Sequence, residues 1–286
     1  MRRFDYHEPR SLGEASELLT SLGEDTYLFA GGTDLLVEIR ERLRPVRNLI
    51  NIKHIPGLSE ARFDLDGLHF GALVTVGQLE RMAEVSRYYP NLLAGLRALG
   101  SIQLRNRATV VGNICRASPS ADTIPPLVAD GAEIETWHPG GERRLPLADF
   151  FAGPGKTVLT PGEIAVAVHV PRPAPSSGRA YIKHGRRKAM ELATVGVAVS
   201  LETEGDRCTA VRIALGAVGP RVLRAPAAEE ILRDSRLDAE TISSAAKSAM
   251  QECTPISNVR SSAAYRREMV GVLTRRAVNL ALEAVS

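Results

Sequence analysis

The stretch Ala30-Gly31-Gly32-Thr33-Asp34-Leu35, hereafter the first segment, joins a predicted strand to a predicted helix. An apolar run ends at Ala30, and a helical pattern of apolar residues begins at Leu35. A strand, a tight glycine turn and a helix start, in that order, leave backbone N–H groups unpaired and without Cβ atoms in front of them. Such a row of amides is typical of a phosphate-binding turn, although a Gly-Gly pair is also a common structural turn.

A second segment of similar small and hydroxyl-bearing character is Thr109-Val110-Val111-Gly112-Asn113. Two such turns with inward-pointing amides would suit a pyrophosphate that is held from two sides. Neither segment has the spacing of a Walker loop with its lysine, and neither has the G-x-G-x-x-G of a Rossmann turn. The ordinary nucleotide-binding motifs are therefore absent from both segments.

The composition is that of an ordinary globular protein with room for two or three domains. The chain has 286 residues, of which 44% are hydrophobic and 24% charged, and its formal net charge is +3. This even charge balance and the scarcity of aromatic residues, 5%, argue against nucleic-acid binding. No apolar run reaches the ~20 residues of a membrane span, and no signal-peptide pattern is present, so we expect a cytoplasmic protein.

Potential metal ligands and nucleophiles are scattered along the sequence. Cys115, Cys208 and Cys253 lie far apart without a C-x-x-C motif, which argues against an iron–sulfur or zinc site in this chain. The histidines are dispersed, and no Ser-His-Asp or Cys-His arrangement is recognisable. We therefore predict neither a metal ligand nor a catalytic residue here.

Hydrophobic periodicity predicts an α+β fold in three parts, with boundaries 1–56, 57–173 and 179–286. In the first part, which is α/β, Ser11 begins a helix. The second part mixes strands and helices around a loop region at 101–122.

A proline-rich linker at 171–178 precedes the third part. Beyond it, alternating apolar residues predict three antiparallel strands, at 180–184, 195–202 and 211–215, with helices filling most of the remainder.

The order of motifs resembles the FAD-binding (medium) subunits of molybdenum hydroxylases, the family that includes xanthine dehydrogenase and carbon monoxide dehydrogenase. The resemblance covers nearly the whole chain and is carried by AGGTDL at 30–35, QLRNRATVVGNI at 103–114, ASPSADT at 117–123, FFAGPGKT at 150–157, GEI at 162–164, AYIK at 180–183 and SAAYRR at 262–267. It implies a two-part FAD-binding domain of the PCMH type, followed by a C-terminal α+β domain with a three-stranded antiparallel sheet and helices.

The resemblance also implies which residues contact FAD. They are Leu28, Phe29, Ala30, Gly31, Gly32, Thr33, Asp34, Leu35, Thr109, Val110, Val111, Gly112, Asn113, Asp122, Ile164, Ala165 and Lys183. Asp122 would accept hydrogen bonds from ribose or ribityl hydroxyls, and the Lys183 cation would lie near the flavin. Each has an alternative: Asp122 is also a candidate helix cap, and Lys183 on a strand can simply face water. The run Arg186-Arg187-Lys188 is either a solvated turn or a site of docking or NAD attraction.

The implied function is electron transfer within a complex. A large partner subunit would carry the molybdenum cofactor, and a small one two [2Fe–2S] clusters, whose electrons pass to FAD on this chain and then to NAD, oxygen or a quinone. The chain departs from the family at Val111, where a glycine is usual, and at Leu192, where the carbon monoxide branch has a tyrosine. The alternatives are a self-sufficient FAD-dependent oxidoreductase of the PCMH superfamily and a flavin-free interaction subunit, the latter suggested by Val111.

Overall fold

The computed structural model describes residues 3–187 and 189–285, so Lys188 of the basic run and the outermost terminal residues lie outside it. The first part is a parallel sheet with the strand order β1-β3-β2. Its elements are β1 (Asp5–His7), α1 (Leu12–Ser21), β2 (Thr26–Phe29), α2 (Leu35–Arg40) and β3 (Asn48–Asn51). As predicted, Ser11 caps α1 by accepting a hydrogen bond from the Glu14 N–H.

The second part surrounds an antiparallel sheet with the strand order β4-β5-β10-β6-β7. Its elements are β4 (Ala61–Phe63), β5 (Gly67–Gly71), α3 (Val76–Arg81), α4 (Ala83–Tyr88), α5 (Pro90–Ala98), α6 (Ile102–Arg105), α7 (Val110–Cys115), α8 (Ile124–Ala129), β6 (Glu133–His138), β7 (Gly141–Pro146), β8 (Phe151–Gly153), β9 (Lys156–Thr157) and β10 (Ile164–Pro171). The predicted loop region at 101–122 therefore contains two short helices, α6 and α7.

The third part is an antiparallel sheet covered by helices. Its elements are β11 (Ser177–His184), β12 (Val195–Glu204), β13 (Arg207–Gly216), β14 (Leu223–Arg224), α9 (Pro226–Leu232), α10 (Ala239–Glu252) and α11 (Ala263–Glu283). The strand order is β11-β12-β13-β14, so a strand of two residues extends the three predicted ones.

The two faces of this third sheet belong to different cores. Val197, Val199 and Ile213 pack with the helices of the third part, whereas Ala198 and Ala214, on the opposite face, join the core of the first two parts. Burying both faces in this way fixes the third part against α5 and α8. The exact domain boundaries stay a prediction. In the described part of the chain, no helix combines the length and apolar character needed to cross a bilayer.

Candidate functional site

A cavity of about 740 Å³ lies where the two segments meet. Most of the predicted FAD contacts line it, namely Leu28, Ala30, Gly31, Gly32, Thr33, Asp34, Leu35, Thr109, Val111, Gly112, Asn113, Asp122 and Ala165. Four others, Phe29, Val110, Ile164 and Lys183, are not part of its wall. Val110 and Ile164 are fully buried, and the Phe29 ring packs beneath Gly32. These three side chains therefore pack against the residues that form the wall.

The first segment passes very close to the chain that leads into the second. A Cβ atom on Gly31 would lie 2.3 Å from the carbonyl oxygen of Arg107, which is a backbone atom that cannot easily move. Gly32 has a φ of +72°, a left-handed conformation that favours glycine. Both glycines are therefore required by the geometry, one for close approach and one for its backbone angle.

The backbone amides of the first segment are unpaired. Among the described residues, no protein acceptor receives a hydrogen bond from the N–H groups of Gly31, Gly32, Thr33 or Asp34. The Asp34 side chain does not cap α2 either. Because buried or half-buried amides normally find partners, this row of donors fits an anionic ligand such as a pyrophosphate.

The second segment differs from the predicted glycine turn. Thr109 caps α7, its hydroxyl accepting from the Gly112 N–H at 3.1 Å and its carbonyl from the Asn113 N–H at 3.0 Å. The Val110 N–H donates to the Val74 carbonyl, so of this segment only the Thr109 and Val111 amides lack a partner within the described chain. The expectation of inward-pointing amides on both sides is therefore wrong for most of this segment, because a helix begins there and uses them.

Val111 is not strained. It lies inside α7 with helical backbone angles, and its side chain is 2% exposed against the core.

Asn113 contributes a side-chain donor to the cavity. Its side-chain oxygen accepts from the Thr123 hydroxyl at 2.7 Å, which fixes the orientation of the amide group. The Asn113 side-chain NH₂ remains without a partner among the described residues and is available to a ligand.

Asp122 is a buried carboxylate at the cavity wall. One oxygen accepts from the Tyr181 hydroxyl at 3.0 Å and the other from the Lys183 ammonium at 2.7 Å. Burial raises the pKa of Asp122, and these two donors oppose that rise. Asp122 does not cap α8, whose N-cap residue is Thr123.

Lys183 does not present a free cation. Its ammonium also donates to the carbonyls of Ala98, at 3.1 Å, and Glu191, at 2.6 Å, so its three donors are used. It lines a smaller neighbouring pocket rather than the main cavity. The Lys183 charge is therefore directed at protein acceptors rather than into the main cavity, and its predicted place near the flavin stays a prediction.

Glu163, within the GEI motif, was missed as a positioning residue. Its carboxylate accepts from Arg143, Thr136 and Thr160, and these bonds hold the start of β10, from which Ala165 reaches the cavity. Burial alone would raise the pKa of Glu163, but the hydrogen bonds outweigh it and lower the pKa to about 2.

Other titratable groups at the cavity are paired or neutral. Glu38 receives Arg116 at 2.8 Å and Arg44 at 2.9 Å. Burial raises the pKa of the Cys115 thiol to about 12, so it is protonated at neutral pH. Leu99 and Leu192 add apolar wall. Within the described residues, no group of three His, Cys, Asp or Glu side chains is arranged to hold a metal ion.

Comparison with known proteins identifies the two halves of the chain. Residues 2–173 match the family described as the FAD binding domain in molybdopterin dehydrogenase, and residues 180–281 match the carbon monoxide dehydrogenase flavoprotein C-terminal domain. These matches confirm the predicted architecture of an FAD-binding domain followed by a separate C-terminal domain.

Whole-chain relatives agree. The putative xanthine dehydrogenase FAD-binding subunit of Escherichia coli K12 is 31% identical, covering 98% of this chain and 96% of its own length. The carbon monoxide dehydrogenase medium chain of Hydrogenophaga pseudoflava is 34% identical over 98% of this chain and 97% of its own. A solved carbon monoxide dehydrogenase chain from that organism superposes with a TM-score of 0.96 at 34% identity, covering 100% of this chain and 99% of its own.

These similarities do not separate the xanthine branch from the carbon monoxide branch, but they agree on the family. Together with the unpaired amides and the cavity, they show that this chain belongs to the FAD-binding medium subunits of the molybdenum hydroxylases.

Proposed function

We propose that this chain holds FAD in the cavity between the two segments and serves as the electron-transfer subunit of a molybdenum-containing hydroxylase or dehydrogenase. The observation that carries the proposal is the row of four unpaired amides, from Gly31 to Asp34, at a cavity of about 740 Å³. Such a volume suits a large, partly apolar cofactor. FAD supplies the one- and two-electron redox chemistry that no side chain provides.

The chain's own residues bind and orient the cofactor. The amides of the first segment and the Thr33 hydroxyl donate to the phosphates, and the Asn113 NH₂ donates from the other side. Asp122 accepts from sugar or ribityl hydroxyls, since a carboxylate has about four acceptor sites and only two are used by Tyr181 and Lys183. The remaining predicted contacts contribute through the backbone or by shaping the wall, and Leu99 and Leu192 help to exclude water.

The partners proposed are a large subunit with the molybdenum cofactor and a small subunit with [2Fe–2S] clusters. This chain would receive electrons from the small subunit and deliver them to NAD or another acceptor, in the cytoplasm. Support comes from the relatives named as medium chains of carbon monoxide dehydrogenase, and from a solved carbon monoxide dehydrogenase described as lacking the Mo-pyranopterin moiety of its molybdenum cofactor.

The alternatives are less well supported. A self-sufficient oxidoreductase needs an acid or base free to act on a substrate, whereas the carboxylates that line the cavity each pair with a cation, namely Asp34, Glu38, Asp122 and Glu191. A flavin-free interaction subunit was suggested by Val111, whose backbone is helical and whose side chain is 2% exposed against the core, so neither strain nor a protruding side chain supports that alternative.

The full chain, purified alone, tests the first half of the proposal. We expect it to bind FAD in a one-to-one ratio, measured by flavin absorbance and by quenching of flavin fluorescence. A colourless chain that takes up no added FAD would refute the proposal.

Co-expression with candidate large and small subunits tests the proposed electron transfer. Reduction of the FAD should require the iron–sulfur subunit, and reduction by substrate without that subunit would favour the self-sufficient alternative.

A further inference from the structure

The boundary between the FAD-binding domain and the C-terminal domain carries two buried ion pairs. Alternate residues of β11 reach across it: Arg179 meets Asp130 at 3.0 Å, and Lys183 meets Asp122 at 2.7 Å. The two carboxylates flank α8, and both are less than 10% exposed. Tyr181, between the two cations on β11, donates to Asp122.

The two pairs are alike in chemistry but differ in position. Asp122 lines the main cavity, whereas Asp130 lies outside the cavity wall and is also held by the Asn91 side chain at 3.0 Å. Neither Tyr181 nor Lys183 lines the main cavity. The C-terminal domain, which contains neither segment, thus supplies both side-chain donors to Asp122, a carboxylate of the cavity wall.

A buried carboxylate is costly when it loses its donors, and it then protonates or moves. The position of the Asp122 carboxylate is therefore set by two donors on β11, Tyr181 and Lys183. We infer that Asp122 couples docking of the C-terminal domain to FAD binding, with Tyr181 and Lys183 acting as positioning residues through it. This inference rests on the proposed binding of FAD. Because coupling is reciprocal, bound FAD also strengthens the docking of β11.

Tyr181→Phe is the mildest test, because it removes one donor and no charge. The dissociation constant for FAD of the full chain, measured by fluorescence quenching, should rise about tenfold, as expected for losing a hydrogen bond to a charged group. Loss of this donor also raises the pKa of Asp122, so the acid side of the affinity–pH profile should move to higher pH. A purely structural role would leave that profile in place. Lys183 and Tyr181 are the titratable groups that face Asp122 in the described chain.

Lys183→Met and Arg179→Met form a matched pair, because each leaves one buried carboxylate without its cation. Both should lower the melting temperature, but only Lys183→Met should weaken FAD binding by tenfold or more. In the wild type and in Arg179→Met, FAD should slow amide hydrogen exchange in residues 177–184, and this protection should be smaller in Tyr181→Phe and smallest in Lys183→Met.

Unchanged FAD affinity in Tyr181→Phe would overturn the coupling while leaving FAD binding itself intact. Equal weakening by Arg179→Met would overturn it as well, because general loosening of the domain would then explain the effect. A wild-type chain that binds no FAD would overturn the proposed function and the coupling together.

Discussion

The first and second segments are similar in sequence, but their backbone amides have different partners in the structure. In the first, the amides from Gly31 to Asp34 have no partner among the described residues. In the second, the N–H groups of Val110, Gly112 and Asn113 are already engaged by the protein. The first segment therefore presents donors to a ligand, and the second mainly builds a short helix that forms the facing wall.

The difference has a physical cause. Glycine in the left-handed conformation at Gly32 turns the chain before a helix can start, so the amides ahead of α2 stay open. In the second segment, Thr109 has an extended backbone and a hydroxyl that caps α7 at once. A glycine is thus not enough to indicate an anion site, because the residue before the helix decides whether the amides stay free.

The largest effect on FAD binding should come from Gly31→Val. Its Cβ would lie 2.3 Å from the Arg107 carbonyl oxygen, so the backbone of the first segment must move away from residue 107. We expect the affinity for FAD to fall by at least about 100-fold, equal to about 2.7 kcal/mol, measured by fluorescence quenching. Gly153→Ala is the control, since nothing lies within 4 Å of its added Cβ. Near-normal affinity in Gly31→Val would show that the close approach does not matter.

Gly32→Ala should have the next largest effect. The added Cβ meets the Phe29 ring at 2.2 Å, and a φ of +72° costs an alanine about 1–2 kcal/mol. We predict a dissociation constant that rises roughly tenfold or more. Gly23→Ala is matched to it, because Gly23 also has a positive φ, +64°, but lies in open space away from the cavity. If Gly32→Ala and Gly23→Ala changed FAD affinity equally, the backbone geometry of the first segment would not determine how tightly FAD binds.

Thr109→Val should have a smaller effect. It removes the acceptor for the Gly112 N–H and should cost about 1 kcal/mol of stability as a lost cap. The affinity for FAD should weaken only a few-fold, because the helix positions the wall rather than supplying most of the donors. Thr75→Val, which removes the cap of α3 outside the cavity, should destabilise similarly without touching FAD binding. If Thr109→Val lost as much FAD affinity as Gly31→Val, the second segment would be a main binding element rather than a wall.

Val111→Gly should change FAD affinity least, by less than about twofold. Because Val111 is 2% exposed within α7, the variant should lose about 2–4 kcal/mol of stability from burial and helix propensity, measured by denaturant unfolding. Markedly tighter FAD binding in this variant would show that the valine obstructs the cofactor, contrary to its position in the core.

Much of the fold was predictable because its signals are local. The cap at Ser11 marked α1, and alternating apolar residues marked β12 and β13, whose faces pack on two different cores. The helix α7 was missed because six residues including Val-Val-Gly have no helical signal of their own. It is stabilised instead by the Thr109 cap and by burial of Val110 and Ile114.

The candidate site was predictable where the backbone determines it and less so where distant side chains meet. The unpaired amides follow from the glycines of the first segment. The engagement of Lys183 by Asp122 joins residues on two different domains, so nothing near either residue in sequence indicates it. The same holds for Arg143 and Glu163, whose bonds depend on the pairing of β6, β7 and β10.

Hydrogen exchange of the individual amides, followed by NMR with and without FAD, tests the central contrast most directly. FAD should strongly slow exchange of the N–H groups from Gly31 to Asp34, which have no acceptor in the protein, and should change those of Gly112 and Asn113 little. If FAD binds but leaves the amides from Gly31 to Asp34 exchanging freely, the cofactor's phosphates are held elsewhere and the first segment is not the phosphate site.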